Sequence, residues 1–312
     1  MKSDARIFVA GHRGLVGSAL VRALERHGHR KLLLKTHAEL DLEDGPAVRR
    51  YFADARPEYV FMAAAKVGGI YANDTLSGDF IRSNLLIQTN VIDAAYRAGL
   101  KRLQFLGSSC IYPKHAPQPI KEEYLLTGAL EPTNEAYAIA KIAGVEMCRA
   151  YNKQFGTSYV SVQPTNLYGP GDNFDLKTSH VLPALVRKFH EAKVANAPSV
   201  MVWGSGTPRR EFLHVDDLAE ACVFLMDRGD APDLVNVGAG KDISIAELAS
   251  LVKEIVGYEG RIEYDRSKPD GTPRKLLDVT RMTSLGWEPR ISLRDGIASF
   301  YGSYLETQLA RT

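Results

Sequence analysis

Along the chain, short apolar runs alternate with longer stretches in which apolar residues recur every three or four positions. Residues 6–10 (RIFVA) read as a short buried strand. After the turn GHRGLVG, the run SALVRALERHG brings Val16, Leu20, Val21 and Leu24 onto one helical face, with Gly28 as its stop. KLLLK (31–35) predicts a second strand, PAVRRYFADAR (46–56) a second helix and YVFMAAA (59–65) a third strand. Residues 79–97 predict a long helix ended at Gly99, RLQFLGSS (102–109) a fourth strand, 135–155 another long helix and SYVSVQP (158–164) a fifth strand. Strands alternating with helices of this length build βαβ units, so the expected fold is α/β with a parallel, doubly wound sheet.

Past Tyr168-Gly169-Pro170-Gly171 the alternation loosens. Helices are expected over 180–192, 215–227, 245–256 and 293–305, with short strands near 200–203, 235–237 and 261–264. This pattern predicts a larger lobe over 1–170 and a smaller α/β lobe over 171–312, with segments around 205–237 returning to the first. The loop KPDGTPRK (268–275) mixes turn formers with three basic residues, a composition that suits ligand contact.

Composition narrows the picture. A 312-residue chain that is 45% hydrophobic and 24% charged buries a real core, which excludes global disorder. Thirty-nine basic against 37 acidic residues give a net charge of +2, no bulk reason to expect nucleic acid or an anionic membrane as partner. The most apolar stretch, from Tyr59, is broken by Lys66 and falls short of the ~20 residues that cross a bilayer. The apolar run at 7–10 is too short for a signal peptide. Three scattered cysteines make no disulfide framework, so a reducing, cytoplasmic setting is expected. The histidines show no metal-ligand spacing, and no metal is expected.

The candidate chemistry begins at Gly11, Gly14 and Gly17, between the first strand and first helix. Glycines there permit a tight turn and close backbone approach to a pyrophosphate on the helix N-terminus, the Rossmann arrangement for a dinucleotide. The carboxylate that would take a ribose 2′-hydroxyl, ~20 residues on, is missing. Lys35, Thr36 and His37 stand there instead, and Arg13 lies inside the turn; cations at this place favour NADP over NAD. Asp41 is expected to face the adenine or cap a helix. Farther along, Tyr137 and Lys141 are four apart on one helix face, where an ammonium can bring a phenol into working range. Ser108 and Ser109 supply hydroxyls at the end of the fourth strand, while Cys148 and Cys222 fall in apolar helical patterns and His214 in a structural turn.

Taken together, GHRGLVG, LGSSCIYP, EPTNEAYAIAK, PTNLYGP, WGSGTPRREFLHVDD and KPDGTPRKLLDVTR resemble the extended short-chain dehydrogenase/reductases, over nearly the whole chain. GSSCIYP, and a histidine before VLPALVRKFHEA, point within them to the epimerase-reductases of nucleotide sugars. The resemblance implies NADPH-dependent 3,5-epimerisation and 4-keto reduction of GDP-4-dehydro-6-deoxy-D-mannose to GDP-L-fucose. By similarity, Ser108, Tyr137 and Lys141 form the reductase triad, and Cys110 and His180 serve as base and acid of the epimerisations. Cofactor contacts carry over to Gly11, His12, Arg13, Gly14, Leu15, Val16, Gly17, Lys35, His37, Asp41, Leu106, Gly107, Ser108, Ser109, Lys141, Pro164, Thr165, Asn166, Leu167 and His180. Substrate contacts carry over to Lys188, Trp203, Arg210 and Asp270, with Asn166 positioning substrate as well. Lys35 and His37 depart from the arginines common in such relatives. The family also implies a homodimer through the helices at 79–97 and 135–155. The rival readings are a 4-epimerase, a 4,6-dehydratase, a simple 4-reductase and a non-catalytic NADP sensor. The first lacks its ribose carboxylate here and the second a carboxylate beside Ser108, while the sensor would commonly lose Tyr137 or Lys141.

Overall fold

The structure, a computed structural model, describes residues 1–176, 178–268 and 270–309. Its first half runs β1 (Ile7–Ala10), α1 (Leu15–Arg26), β2 (Leu32–Leu33), α2 (Gly45–Ala55), β3 (Tyr59–Met62), α3 (Ile70–Thr75), α4 (Ser77–Arg97), β4 (Arg102–Leu106), α5 (Glu135–Phe155) and β5 (Ser158–Pro164). The second half runs β6 (Asn166–Tyr168), α6 (Val181–Val194), β7 (Ser199–Trp203), β8 (Arg209–His214), α7 (Val215–Asp227), β9 (Leu234–Val237), β10 (Asp242–Ser244), α8 (Ile245–Val256), β11 (Arg261–Asp265), β12 (Arg274–Lys275), α9 (Thr280–Ser284) and α10 (Leu293–Leu309).

Six strands form one parallel sheet in the order β2-β1-β3-β4-β5-β9. Both faces are covered, which is why β1 is apolar at every position. Phe8 and Ala10 join the core under α2, α4 and α5 with Phe52, Val91 and Val145. Ile7 and Val9 point the other way, into the core under α1 and α7 with Leu20, Leu24 and Leu218. The α1–α7 pair is also tied by Arg22 to Asp216 at 2.6 Å and Arg26 to Glu220 at 2.8 Å. A third core, built on Leu185, Phe189, Val252 and Phe300, holds α6, α8 and α10 around the two-stranded β7–β11 sheet. A further small sheet runs β10-β8-β12, with β6 on β8. Chain order reverses about β1, so the crevice beyond its carboxyl end is where a parallel sheet of this kind takes ligands.

Several boundaries differ from the sequence reading, each for a local reason. KLLLK contributes only Leu32–Leu33, because it is an edge strand paired to β1 over two residues. The fourth strand ends at Leu106; Ser108 accepts from the Cys110 backbone N–H and turns Ser109–Ile111 into a 3-10 helix. The helix expected at 79–97 starts at Ser77, and α3 precedes it. Asp44, not Asp41, caps α2 by accepting from the Ala47 N–H at 2.9 Å. The strands β6, β8, β10 and β12 were not foreseen, since their charged and polar residues mask a strand pattern. Cys148 and Cys222 are fully buried, and His214 caps α7 by accepting from the Asp216 N–H. Of the loop 268–275, Pro269 lies outside the described residues. Among the described residues no helix is long and apolar enough to cross a membrane.

Candidate active site

At the end of β1 the backbone itself makes a cradle. Gly11 sits at φ +81°, and a Cβ there would lie 2.8 Å from the backbone of Ala64 past β3. A Cβ on Gly17 would lie 2.6 Å from the Gly11 carbonyl carbon and 2.8 Å from His12 Cα. Gly14 caps α1 without a side chain, so the N–H groups of the first turn face the cradle uncapped. His12 Nδ1 is buried there with no partner, and Arg13 is exposed at the lip. Leu15 and Val16 pack back onto the core under α1. A pyrophosphate on a helix N-terminus fits this cradle: the space a side chain would fill is left open, and donors are uncommitted.

The adenosine end is less cationic than the sequence suggested. Lys35 pairs with Glu39 at 3.6 Å, and Glu39 also accepts from the Thr36 N–H and hydroxyl, both at 2.8 Å. These bonds hold the Glu39 carboxyl below its usual range. His37 faces Asp41 at 3.7 Å, and Asp41 accepts from the Glu43 N–H at 2.9 Å. Glu39 is therefore a further member of this site, two residues beyond the Lys35–His37 stretch that carries no acid.

The carboxyl ends of β4 and β5 form the next wall. Gly107 lets the chain pass against Gln163, whose Oε1 accepts from the Ser108 N–H at 2.8 Å. Ser109 is buried below it. Pro164 ends β5, Leu167 packs on the sheet, and Thr165 and Asn166 both donate to the Glu211 carbonyl, at 3.2 and 2.8 Å. Asn166 thus spends one amide hydrogen tying β6 to β8.

Tyr137 and Lys141 face the cleft from α5. Burial pushes the Tyr137 phenol up, reinforced by the neighbouring Cys110, while the nearby Ser108 hydroxyl acts in the opposite direction. Lys141 is buried, donates to the Leu106 carbonyl at 2.8 Å and lies 4.9 Å from the Phe105 ring centroid. Burial brings it down to about 7. The sequence led us to expect an ammonium lowering the phenol. In the protein alone desolvation outweighs that attraction and favours both neutral forms. A neutral phenol at pH 7 is a proton donor.

Cys110 lies across from this pair. Asn134 Nδ2 donates to its Sγ at 3.4 Å, and Lys275 Nζ does so at 3.6 Å. His180 ends the approach to α6 with a ring that caps nothing. It is reachable by solvent but walled by the cleft, and that desolvation, with the Lys275 charge, pulls it down. An imidazolium disfavoured in this way is scarcer but a stronger acid.

Along the small sheet the site continues outward. Lys275 pairs in register with Arg210, whose guanidinium is pulled down by burial against the opposing charge of Asp270. Asp270 accepts from the Ser205 N–H and hydroxyl, at 2.6 and 2.8 Å, over the turn that follows Trp203. Trp203 is 61% exposed and carries two cations near its face, Lys188 at 5.3 Å and Lys268 at 5.6 Å. A large aromatic left bare beside lysines and an arginine is a surface for a base or sugar next to a phosphate. The structure brings Lys188, Trp203, Arg210 and Asp270 into one patch. Asn134, Gln163, Glu211 and Lys275 were missed as functional. Only Lys275 had a signal in the sequence, its place in the basic turn at 268–275. Among the described residues no cluster could hold a metal ion.

A family model described as the NAD dependent epimerase/dehydratase family matches residues 7–238. "GDP-L-fucose synthase 1" of Arabidopsis thaliana is 62% identical over 97% of this chain and 94% of its own length. "GDP-L-fucose synthase" of Escherichia coli (strain K12) is 56% identical over 98% of both. Among solved structures, a GDP-L-fucose synthetase from Naegleria fowleri bound to NADP superimposes with a TM-score of 0.91 at 29% identity, over 99% of this chain and 96% of that one.

Proposed function

The chain belongs to the NAD dependent epimerase/dehydratase family, and from that premise we propose that it converts GDP-4-dehydro-6-deoxy-D-mannose to GDP-L-fucose by 3,5-epimerisation and 4-keto reduction with NADPH. One observation supports the reading: Lys275 reaches the Cys110 sulfur and its charge acts on His180, while Cys110 neighbours Tyr137 of the Ser108–Tyr137–Lys141 group.

The glycine cradle and Lys141 would hold the cofactor, which when bound would supply hydride for the ketone carbon. Ser108 and Tyr137 orient the ketone oxygen, and Tyr137 gives it a proton during reduction. Before reduction, the same two hydroxyls would stabilise the enolate formed when a proton leaves a carbon flanking the ketone. Cys110 takes that proton on one face and His180 returns one on the other. Reduction comes last because it consumes the ketone that acidifies both carbons. Lys188 and Arg210 suit the diphosphate, and Trp203 the flat wall beside it. Arg13, Lys35 and His37 favour the 2′-phosphate, with Glu39 tempering the preference.

The test is turnover of the GDP-ketosugar in heavy water, following NADPH absorbance and deuterium in the product. NADPH loss with deuterium at C3 and C5 is expected, and Cys110→Ser should suppress the deuterium. NADPH loss without deuterium leaves a simple 4-reductase. We further propose a cytoplasmic homodimer pairing through α4 and α5, supported by Ile139, 44% exposed on α5. Light scattering that gives a monomer at working concentration would rule the dimer out.

A further inference from the structure

Cys110 is asked to act as a base, and nothing in the reductase triad makes it one. Tyr137 is its titratable neighbour on α5, and a neutral phenol offers it no positive charge. Two other groups reach the sulfur, the Asn134 amide at 3.4 Å and the Lys275 ammonium at 3.6 Å. A neutral thiol is a weak acceptor, so two N–H donors converging on one sulfur fit an anion better than a thiol. Among the described residues Lys275 pairs with no carboxylate, and its charge is left for the cleft.

The backbone around it is unusually constrained. Arg209 N–H bonds the Pro273 carbonyl at 2.8 Å, just before β12. The Leu276 N–H bonds Gln118 Oε1 at 2.9 Å, and the Leu276 carbonyl accepts from Ile120 at 2.7 Å. Leu277 donates to the buried Glu211 carboxylate at 3.0 Å, and Glu211 is itself held by the Gly240 N–H at 2.7 Å. Asp278 N–H bonds the Ile120 carbonyl at 2.8 Å. Flanked on both sides, the Lys275 backbone is held at a set position, from which its side chain reaches the Cys110 sulfur.

We propose that Lys275 is a positioning residue of the epimerisation, holding the Cys110 sulfur as a thiolate aimed at the acidic carbon. The assignment rests on the epimerase-reductase reading above. In the step it serves, the C–H bond breaks, its electron pair passes into the enolate and the proton forms an S–H bond on Cys110. Lys275 neither takes nor gives a proton. The titratable groups beside the sulfur are then Lys275 from β12 and Tyr137 from α5, and the Lys275 charge also depresses His180.

The experiment uses the cofactor-loaded enzyme. Cys148 and Cys222 are fully buried, so iodoacetamide reports on Cys110. Lys275→Met should slow alkylation at pH 7 about tenfold and move its pH profile upward, as loss of a charge within ~4 Å of a thiolate requires. Lys275→Arg should stay within about threefold of the parent, and Lys275→Gln, neutral but still a donor, should follow Lys275→Met. Deuterium uptake should fall in parallel with alkylation, with NADPH affinity unchanged. Alkylation unmoved in both neutral variants overturns the proposal; if KM for the GDP-sugar rises instead, Lys275 is a diphosphate contact. Should alkylation shift as expected while the parent incorporates no deuterium, the thiolate assignment stands and the epimerase reading falls.

Discussion

Lys141 should make the cofactor-free protein less stable than it would be without it. The residue is 3% exposed, and its ammonium is served by one carbonyl, Leu106, at 2.8 Å. Burial brings it from 10.5 to about 7. At about 1.4 kcal/mol per unit, holding the charged form in the fold costs roughly 5 kcal/mol. Lys141→Met removes that cost and keeps the apolar stem against the Phe105 ring, while leaving the Leu106 carbonyl unpaired at about 1 kcal/mol. A net gain of about 2–4 kcal/mol raises Tm by roughly 3–6 °C for a chain of this size. The gain depends on pH in a fixed direction. Well below pH 7 folded and unfolded lysines are both protonated, and the fold bears the full cost. Above it the folded lysine is neutral while the unfolded one still binds a proton, so stability rises with pH and the cost is gone near 10.5. Melting of the cofactor-free parent and Lys141→Met at pH 6.5 and 9.5 should therefore show a gap at the lower pH that closes at the higher. Turnover of the variant should fall at least a hundredfold. A variant no more stable at pH 6.5, or a gap indifferent to pH, would refute the reasoning. It would mean that the ammonium is solvated or paired in a way that the geometry does not contain.

Gly17→Ala places a methyl against the Gly11 and His12 backbone, where no side chain can rotate away. Displacing α1 from the cradle at a cost of about 1–3 kcal/mol predicts NADPH binding weakened by roughly tenfold or more; a fluorescence titration within twofold of the parent would contradict it. Asp172 is pushed up to about 7 by burial and has one carboxylate oxygen without a partner. The folded acid stays protonated while the unfolded one ionises, so stability falls as pH rises from about 4 to 7 and the loss is complete above 7. Asp172→Asn should gain about 1–2 kcal/mol in urea melts at pH 8 and nothing at pH 4, the discount reflecting partial solvent access; an equal gain at both pH values would exclude the mechanism.

What could be read from the residues in order is what short-range physics controls. Apolar periodicity marked the main-sheet strands β1, β3, β4, β5 and β9 and the long helices, because a buried parallel strand is apolar on both faces and a packed helix on one. The glycines at 11, 14 and 17 announced the cradle, and at 11 and 17 only backbone without Cβ allows the close contacts. The spacing of Tyr137 and Lys141 placed them on one helix face. Tertiary structure decided the rest. Lys275 meets Cys110 across 165 positions of chain, through a two-residue strand held by pairing to β8 and by the Glu211 carboxylate, and no local pattern encodes that approach. It also decided protonation. The sequence supplies a phenol and an amine four residues apart, but the depth of the cleft determines that burial, which acts on each charge alone, prevails over their attraction. Local sequence specifies which groups are available; desolvation and long-range packing specify the state in which they work.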